Sequence, residues 1–264
     1  MYQRDFNFIQ SKDNLLLSVV LMTDSFFYSV FDLNNVILAH KSFDGIRYSD
    51  PEFMSIITAD QNLKADFRKI SVVILSGSSH HLPLVNEKAV ALFPNLSLTK
   101  NKIEKIAGND IFTYFGLTNH QESLMDDLFG AGKYVIHHIS NLLSSYYIAS
   151  QGQTLHIHVE KDEIFIFHQS EGKFKFYNSF LTPAINDVLY FILATYKETG
   201  LDPTTDACTL SGWIEKNSPL FTLIYGYVNN LSLIHTDGEF KITGNTELKK
   251  YYYFIHYANA ICAS

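Results

Sequence analysis

A three-run β pattern that occurs twice limits the folds open to this chain. The later copy is Thr154–Val159, Glu163–His168 and Phe174–Phe180. Charged Glu160–Asp162 separates its first two runs, and Gln169–Lys173, with Gly172, separates the next two. β-branched and aromatic runs of this length, punctuated by turn residues, predict an antiparallel meander. The earlier copy is Leu15–Met22, Ser25–Phe31 and Val36–Phe43. The third runs close alike, on Lys41-Ser42-Phe43 and Asn178-Ser179-Phe180. A helical stretch follows each copy, and then a strand ending in Leu-Ser-Gly, at Leu75-Ser76-Gly77 and Leu210-Ser211-Gly212. A repeat this long means two similar half-molecules, not a solenoid.

In the first half, Leu15–Met22 is almost wholly apolar, as for a strand covered on both faces. Asp32–Asn35 supplies hairpin-turn residues. Asp50 and Pro51 give an N-cap followed by proline at the first helical position. Ile70–Leu75 reads as a parallel central strand. His80–Leu117 breaks the repeat, with Pro83, Pro94, a short helix expected near Asn86–Phe93 and a strand near Asp110–Leu117. An inserted subdomain is therefore expected at about residues 78–118. A helix over His120–Phe129, a strand over Lys133–His138 and a helix over Ile139–Ala149 complete the half. Ser150–Gln153 is the boundary, giving halves of 1–149 and 150–264. After the second meander, Thr182-Pro183 opens a helix that Gly200 stops. A strand over Asp206–Leu210 follows, then a helix over Ile214–Val228 interrupted near Pro219, and a strand over Leu231–His235. Leu248–Cys262 lies on a helix with Tyr251, Tyr252 and Ile255 on one side and Tyr253 and Tyr257 on the other.

The 264 residues are 47% hydrophobic, enough for one large or two medium cores. A net charge of −7 with no basic stripe argues against nucleic acid or an anionic membrane as partner. Cys208 and Cys262 are the only cysteines, which suits buried thiols in a reducing compartment. Met1–Asn14 is too polar for a signal peptide, and Leu15–Met22 is too short to span a bilayer. A cytoplasmic protein is expected.

Two β-β-β-α-β-α-β halves with an insertion in the first resemble the actin-like ATPase fold of actin, sugar kinases and heat-shock chaperone ATPases, a duplicated ribonuclease H-like α/β architecture. The series also resembles an uncharacterised bacterial family with that fold, most specifically over Thr154–Gly212, in Tyr177-Asn178-Ser179-Phe180 and Leu210-Ser211-Gly212. The resemblance implies the fold and no particular activity.

Active members of that superfamily carry an Asp-x-Gly-type phosphate loop in the first hairpin of each half. Glycine lets backbone N–H groups approach phosphate, and the aspartate helps hold magnesium. The matching turns here, Met22-Thr23-Asp24-Ser25-Phe26 and Val159-Glu160-Lys161-Asp162-Glu163, contain no glycine. The second holds three acids and one lysine, which repel a polyphosphate unless metal intervenes. Where active members have a Gly-Gly adenosine element, Leu210-Ser211-Gly212-Trp213 puts an indole second. No cofactor is expected. If ATP and magnesium were bound, Asp24, Asp162, Ser211 and Gly212 would be the residues involved. Otherwise Asp24 and Asp162 are turn residues. The resulting expectation is a non-catalytic scaffold or adaptor acting through protein contacts, like the pilus-assembly and cell-division adaptors that use this fold. The alternative is an ATPase or phosphotransferase with atypical loops.

Other side chains allow other chemistry. His156 and His158 alternate on one strand, a spacing that suits a zinc pair with His168 on the next strand as third ligand. The competing reading is that they line a less apolar sheet face. His80-His81 and His137-His138 are adjacent pairs, which point apart on a strand and do not chelate alone. No Gly-x-Ser-x-Gly elbow occurs. Gly130-Ala131-Gly132-Lys133 lacks the Walker spacing and reads as a turn. Tyr251-Tyr252-Tyr253-Phe254 fits either a terminal helix packed on the sheet or a protein-contact surface.

Overall fold

The computed structural model describes residues 5–7, 9, 14–75, 79–83, 100–149, 152–236, 238–244 and 248–262. The first meander is β2 (Leu15–Leu21), β3 (Ser25–Phe31) and β4 (Val36–Asp44). Parallel β5 (Phe67–Ile74) and β9 (Val135–His138) extend its sheet in the order β4-β3-β2-β5-β9. The second meander is β10 (Gln153–Glu160), β11 (Glu163–Ser170) and β12 (Lys173–Leu181). With parallel β13 (Cys208–Gly212) and β14 (Leu231–Leu233) it gives β12-β11-β10-β13-β14. Third, second, first, fourth, fifth is the order in both sheets, so the expected duplication is real. Asp32 makes the first hairpin: its Oδ1 accepts from the N–H groups of Asn34 and Val36, and Asn35 takes the left-handed φ of +58°.

Helix α1 (Pro51–Thr58) starts where expected, with the Asp50 carboxylate accepting from the Glu52 N–H. It covers the outer face of the first sheet together with α2 (Asn119–Phe129), whose Thr118–Gln121 capping box closes its first turn. Helix α3 (Ile139–Tyr147) follows β9 directly. On the outer face of the second sheet lie α4 (Ile185–Thr199) and α5 (Pro219–Tyr225). Gly130 and Gly132 form the turn between α2 and β9, with the Lys133 N–H on the Gly130 carbonyl.

Several boundaries differ from expectation. The Thr182 N–H is held by the Asp162 carbonyl at 2.6 Å, so α4 starts later, at Ile185, with the Asp187 carboxylate accepting from the Ala184 N–H. Residues 214–218 are used in tight turns, and α5 begins only at Pro219, capped by Ser218. The insertion has its own sheet, β6 (His80–Leu82), β8 (Phe112–Leu117) and β7 (Lys100–Lys105), where one strand was expected. The helix expected near Asn86–Phe93 lies outside the described residues, as do Ser76 and Gly77 of the first Leu-Ser-Gly. Two strands of two residues each were not foreseen. Both β1 (Phe6–Asn7) and β15 (Lys241–Ile242) pair with β4 and cap that edge.

The last helix departs most from its sequence reading. After a 3₁₀ turn at Lys250–Tyr252, α6 (Phe254–Cys262) runs between the lobes rather than along one surface. Tyr252 to Ala260 are all buried, on every side of the helix. Its apolar residues Phe254, Ile255 and Ala258 join Leu142 and Leu143 of α3 in an inner core, against both sheets. Its polar residues meet a hydrophilic row. His40, Ser29, Ser18 and Ser71 stand side by side across β4, β3, β2 and β5. Asn259, fully buried, donates to Ser18 Oγ (2.9 Å) and the Ser71 carbonyl (2.9 Å), and its Oδ1 accepts from Ser71 Oγ (2.7 Å). His256 Nδ1 lies 3.3 Å from Ser18 Oγ, and Ser29 Oγ 2.8 Å from His40 Nδ1.

Removing Asn259 strands several buried polar groups at once, and an unmade buried hydrogen bond costs the full desolvation of the group left behind. Asn259→Leu is expected to lower the unfolding free energy by about 2–4 kcal/mol, and Ser71→Ala by about 1 kcal/mol. Urea midpoints at constant slope check both.

Candidate functional site

The first hairpin turns of the two meanders face each other across the interlobe crevice. In the first, the Met22 N–H bonds the Ser25 carbonyl, and Tyr48 Oη donates to the carbonyls of both Met22 (3.2 Å) and Ser25 (2.7 Å). Gln121 Nε2 donates to the Met22 carbonyl as well. The carbonyls of this turn are therefore taken up by protein. In the second turn, Lys161 has a φ of +45°, a left-handed backbone that favours glycine. The residue at this position has a long cationic side chain. That chain crosses to the other lobe: Lys161 Nζ donates to Ser25 Oγ at 3.1 Å and pairs with Asp44 Oδ1 at 2.9 Å. Ser25 Oγ in turn donates to Asp24 Oδ1 at 3.1 Å.

Gly212 closes the far end of β13 with a φ of +82°. A Cβ there would lie 2.2 Å from the Val159 carbonyl oxygen and 2.8 Å from His158 Cε1, so only glycine fits. The turn sends the Trp213 N–H onto that Val159 carbonyl (2.6 Å) and sets the indole in the crevice. The crevice holds about 730 Å³. Phe27, Trp213 and Tyr252 line it with rings, and Ile185, Pro219 and Leu220 with aliphatic surface. Among the described residues, its charged lining is Asp5, Asp44, Glu160 and Glu215 against Lys161. Asp5 is held by the N–H and hydroxyl of Ser42, and Glu215 by Tyr252 Oη at 2.6 Å.

Of the residues singled out for nucleotide binding, Asp24 and Asp162 are exposed at the facing hairpins, and Ser211 and Gly212 are buried. Ser211 points into the histidines: its Oγ is 2.9 Å from His156 Nε2 and 2.8 Å from His158 Nδ1. The chain continues to Tyr147 Oη and Thr209 Oγ1, each 2.9 Å from His156 Nδ1, and to Glu160, 3.5 Å from His158 Nε2. One proton arrangement satisfies it: Tyr147 donates to His156, His156 to Ser211, Ser211 to His158, and His158 faces Glu160. Burial first, then the neighbouring His158, holds the His156 imidazole well below its usual range, so it stays neutral. His168 does not join them. It sits opposite Leu155 in the β10–β11 register, on the face covered by α4. His156 and His158 occupy the other face, so the three do not converge. Among the described residues, no group of three or more His, Cys, Asp or Glu is arranged to hold a metal ion.

The adjacent histidine pairs are split as expected, yet one member of each meets the other. His81 Nε2 (2.9 Å) and His138 Nδ1 (2.8 Å) both contact buried Ser140 Oγ, while His137 turns to Glu104 at 2.6 Å. Burial lowers both imidazoles, His81 to about 4. Sequence reasoning missed the reach of Lys161 and the wall of Trp213, Tyr252 and Glu215. The available signals were a lysine among acids and an indole directly after Leu-Ser-Gly.

The family described as "Protein of unknown function (DUF3822)" matches residues 3–231. The chain belongs to this family. No curated protein matches it. Among solved structures, a Bacteroides thetaiotaomicron VPI-5482 protein with actin-like ATPase fold and unknown function is similar at TM-score 0.66 and 18% identity, over 87% of this chain and 93% of that one. A chain of a PilM-PilN type IV pilus biogenesis complex is similar at 0.63 and 10%, over 94% and 98%. Ethanolamine utilization protein EutJ from Carboxydothermus hydrogenoformans is similar at 0.52 and 10%, over 97% and 91%. At these identities the likeness shows the fold, which is that of the actin-like ATPases. Among the described residues, no helix is long and apolar enough to cross a membrane.

Two outcomes test this geometry. Gly212→Ala is expected to cost more than about 3 kcal/mol, read by denaturant unfolding, because backbone and not a side-chain tip blocks the new methyl. Burial pushes the Glu163 carboxyl from 4.5 up to about 7, with Asp162 and Asp24 adding to it and a Ser179 hydrogen bond opposing. A raised acid stabilises fully below its unfolded pKa and loses that stabilisation as pH rises through its folded one. Unfolding free energies measured from about pH 5 to about pH 8 are therefore expected to move in favour of Glu163→Gln over the parent chain.

Proposed function

We propose that this chain is a non-catalytic scaffold of the actin-like fold, working in the cytoplasm through contacts with a protein partner. The observation that carries the reading is Lys161. It stands in the left-handed position of the second hairpin and spans the crevice to Ser25 and Asp44. In an active relative of this fold, a triphosphate would lie between those hairpins. Here a side chain lies there, beside Asp24, Asp162 and Glu160, whose charges oppose phosphate. The first hairpin, Met22–Phe26, has no glycine to let backbone N–H groups approach phosphate. Trp213 fills the position after Gly212. Changes at three separate elements support loss of triphosphate binding with the scaffold retained. The likeness to a chain of the PilM-PilN complex supports a role in an assembly by analogy of fold.

Calorimetry with ATP and magnesium is expected to give no saturable heat, and a pull-down from the native cell to retain the same partner with or without ATP and magnesium. Micromolar ATP binding with turnover, or release of the partner by ATP, would overturn the reading in favour of an ATPase or phosphotransferase with atypical loops.

A further inference from the structure

Resting on that scaffold reading, we infer that the interlobe crevice binds an arginine side chain presented on an extended apolar segment of the protein partner. The crevice is the right size: about 730 Å³ lies within the range of pockets that enclose a small organic group. Its charge selects the sign of the occupant. Among the described residues, Asp5, Glu160 and Glu215 line it in addition to Asp44; Lys161 engages Asp44, and His158 faces Glu160. An anionic ligand would meet this acidic excess at close range, whereas a cation is attracted by it.

The aromatic lining narrows the choice further. Trp213 and Tyr252 have ring centroids 5.0 Å apart at an interplanar angle of 46°, which makes an angled corner in the crevice wall. Tyr252 Oη donates to Glu215 Oε1 at 2.6 Å, so a carboxylate is fixed beside that corner. Rings next to a held carboxylate suit a guanidinium, which stacks on aromatic faces and forks onto carboxylates, better than a strongly hydrated ammonium. The rim argues for a peptide and not a free amine. Ile185 lines the crevice and is 48% exposed. A chain leaving the crevice over this residue would cover it.

Trp213 is the sole tryptophan of the chain, so its emission reports on the crevice directly. The probes are acetyl-Leu-Arg-Leu-amide, acetyl-Leu-Glu-Leu-amide, argininamide and ATP with magnesium, each titrated into the full chain. The arginine peptide is expected to give a saturable change that weakens as salt is raised, with argininamide and the glutamate peptide each at least about tenfold weaker. Glu215→Gln, which keeps an acceptor for Tyr252, is expected to weaken the arginine peptide by about fivefold or more. No saturable change with the arginine peptide, an equal response to the glutamate peptide, or an unchanged Glu215→Gln affinity would overturn the cation assignment. Argininamide binding as tightly as the peptide would overturn the peptide assignment. If no probe binds, this inference fails and the scaffold reading stands. If ATP alone shifts Trp213 emission saturably, both fail.

Discussion

The contact between Asn259 and the hydroxyl row of the first sheet is the constraint on which the arrangement of the lobes depends. A helix buried on all sides by apolar contacts alone could slide or rotate at small cost, because hydrophobic contact is not directional. Hydrogen bonds in a dry interior are directional and costly to break. Ser18, Ser29 and Ser71 are small enough to let α6 approach the sheet closely, and Asn259 fits only one register against them. On the other sheet, Tyr147 at the end of α3 meets His156 and Thr209. The two helices between the sheets are thus each fixed by polar contacts, and the mutual position of the hairpins follows from theirs.

That position gives the crevice its chemistry. Its backbone has a left-handed residue, Lys161, in one hairpin and an obligatory glycine, Gly212, at the end of β13. Lys161 satisfies Asp44 and Ser25, the histidine–serine chain ends at Glu160, and Tyr252 orients Glu215. What remains is an aromatic, acid-lined cleft between the lobes.

Much of the fold was legible in the sequence. The two meanders, the parallel strands after them, the Asp50-Pro51 helix start and the turn at Gly130–Gly132 are all local matters of periodicity and turn chemistry. Elements without local signal were not. Lys100–Lys105 alternates charge rather than hydrophobicity and is a strand only because β8 pairs with it. Strands β1 and β15, two residues each, exist through the edge they cap. The all-round burial of α6 depends on both sheets being present, so no helical wheel reveals it. Near the crevice, the two meander hairpins and the end of β13 at Leu210-Ser211-Gly212 lie where the sequence repeat puts them, while Ser76 and Gly77 of the first copy lie outside the described residues. The placement of His168 on the opposite face from His156 follows from register, which the spacing of residues within one strand does not contain. The crossing of Lys161 is a contact over 136 positions between lobes, beyond the reach of any local pattern.

The seat of α6 also sets an order of events during synthesis. Ser18 and Ser71 meet Asn259 across 241 and 188 positions of chain. The inner face of the first sheet is therefore covered only by α3, and its serine row not by α6, until almost all of the second lobe has been made. Contacts this distant slow folding, because loop-closure entropy is lost before they form. An emerging chain would carry a finished meander whose serine row lacks its partner Asn259, which is the stage at which a holding chaperone has most to protect.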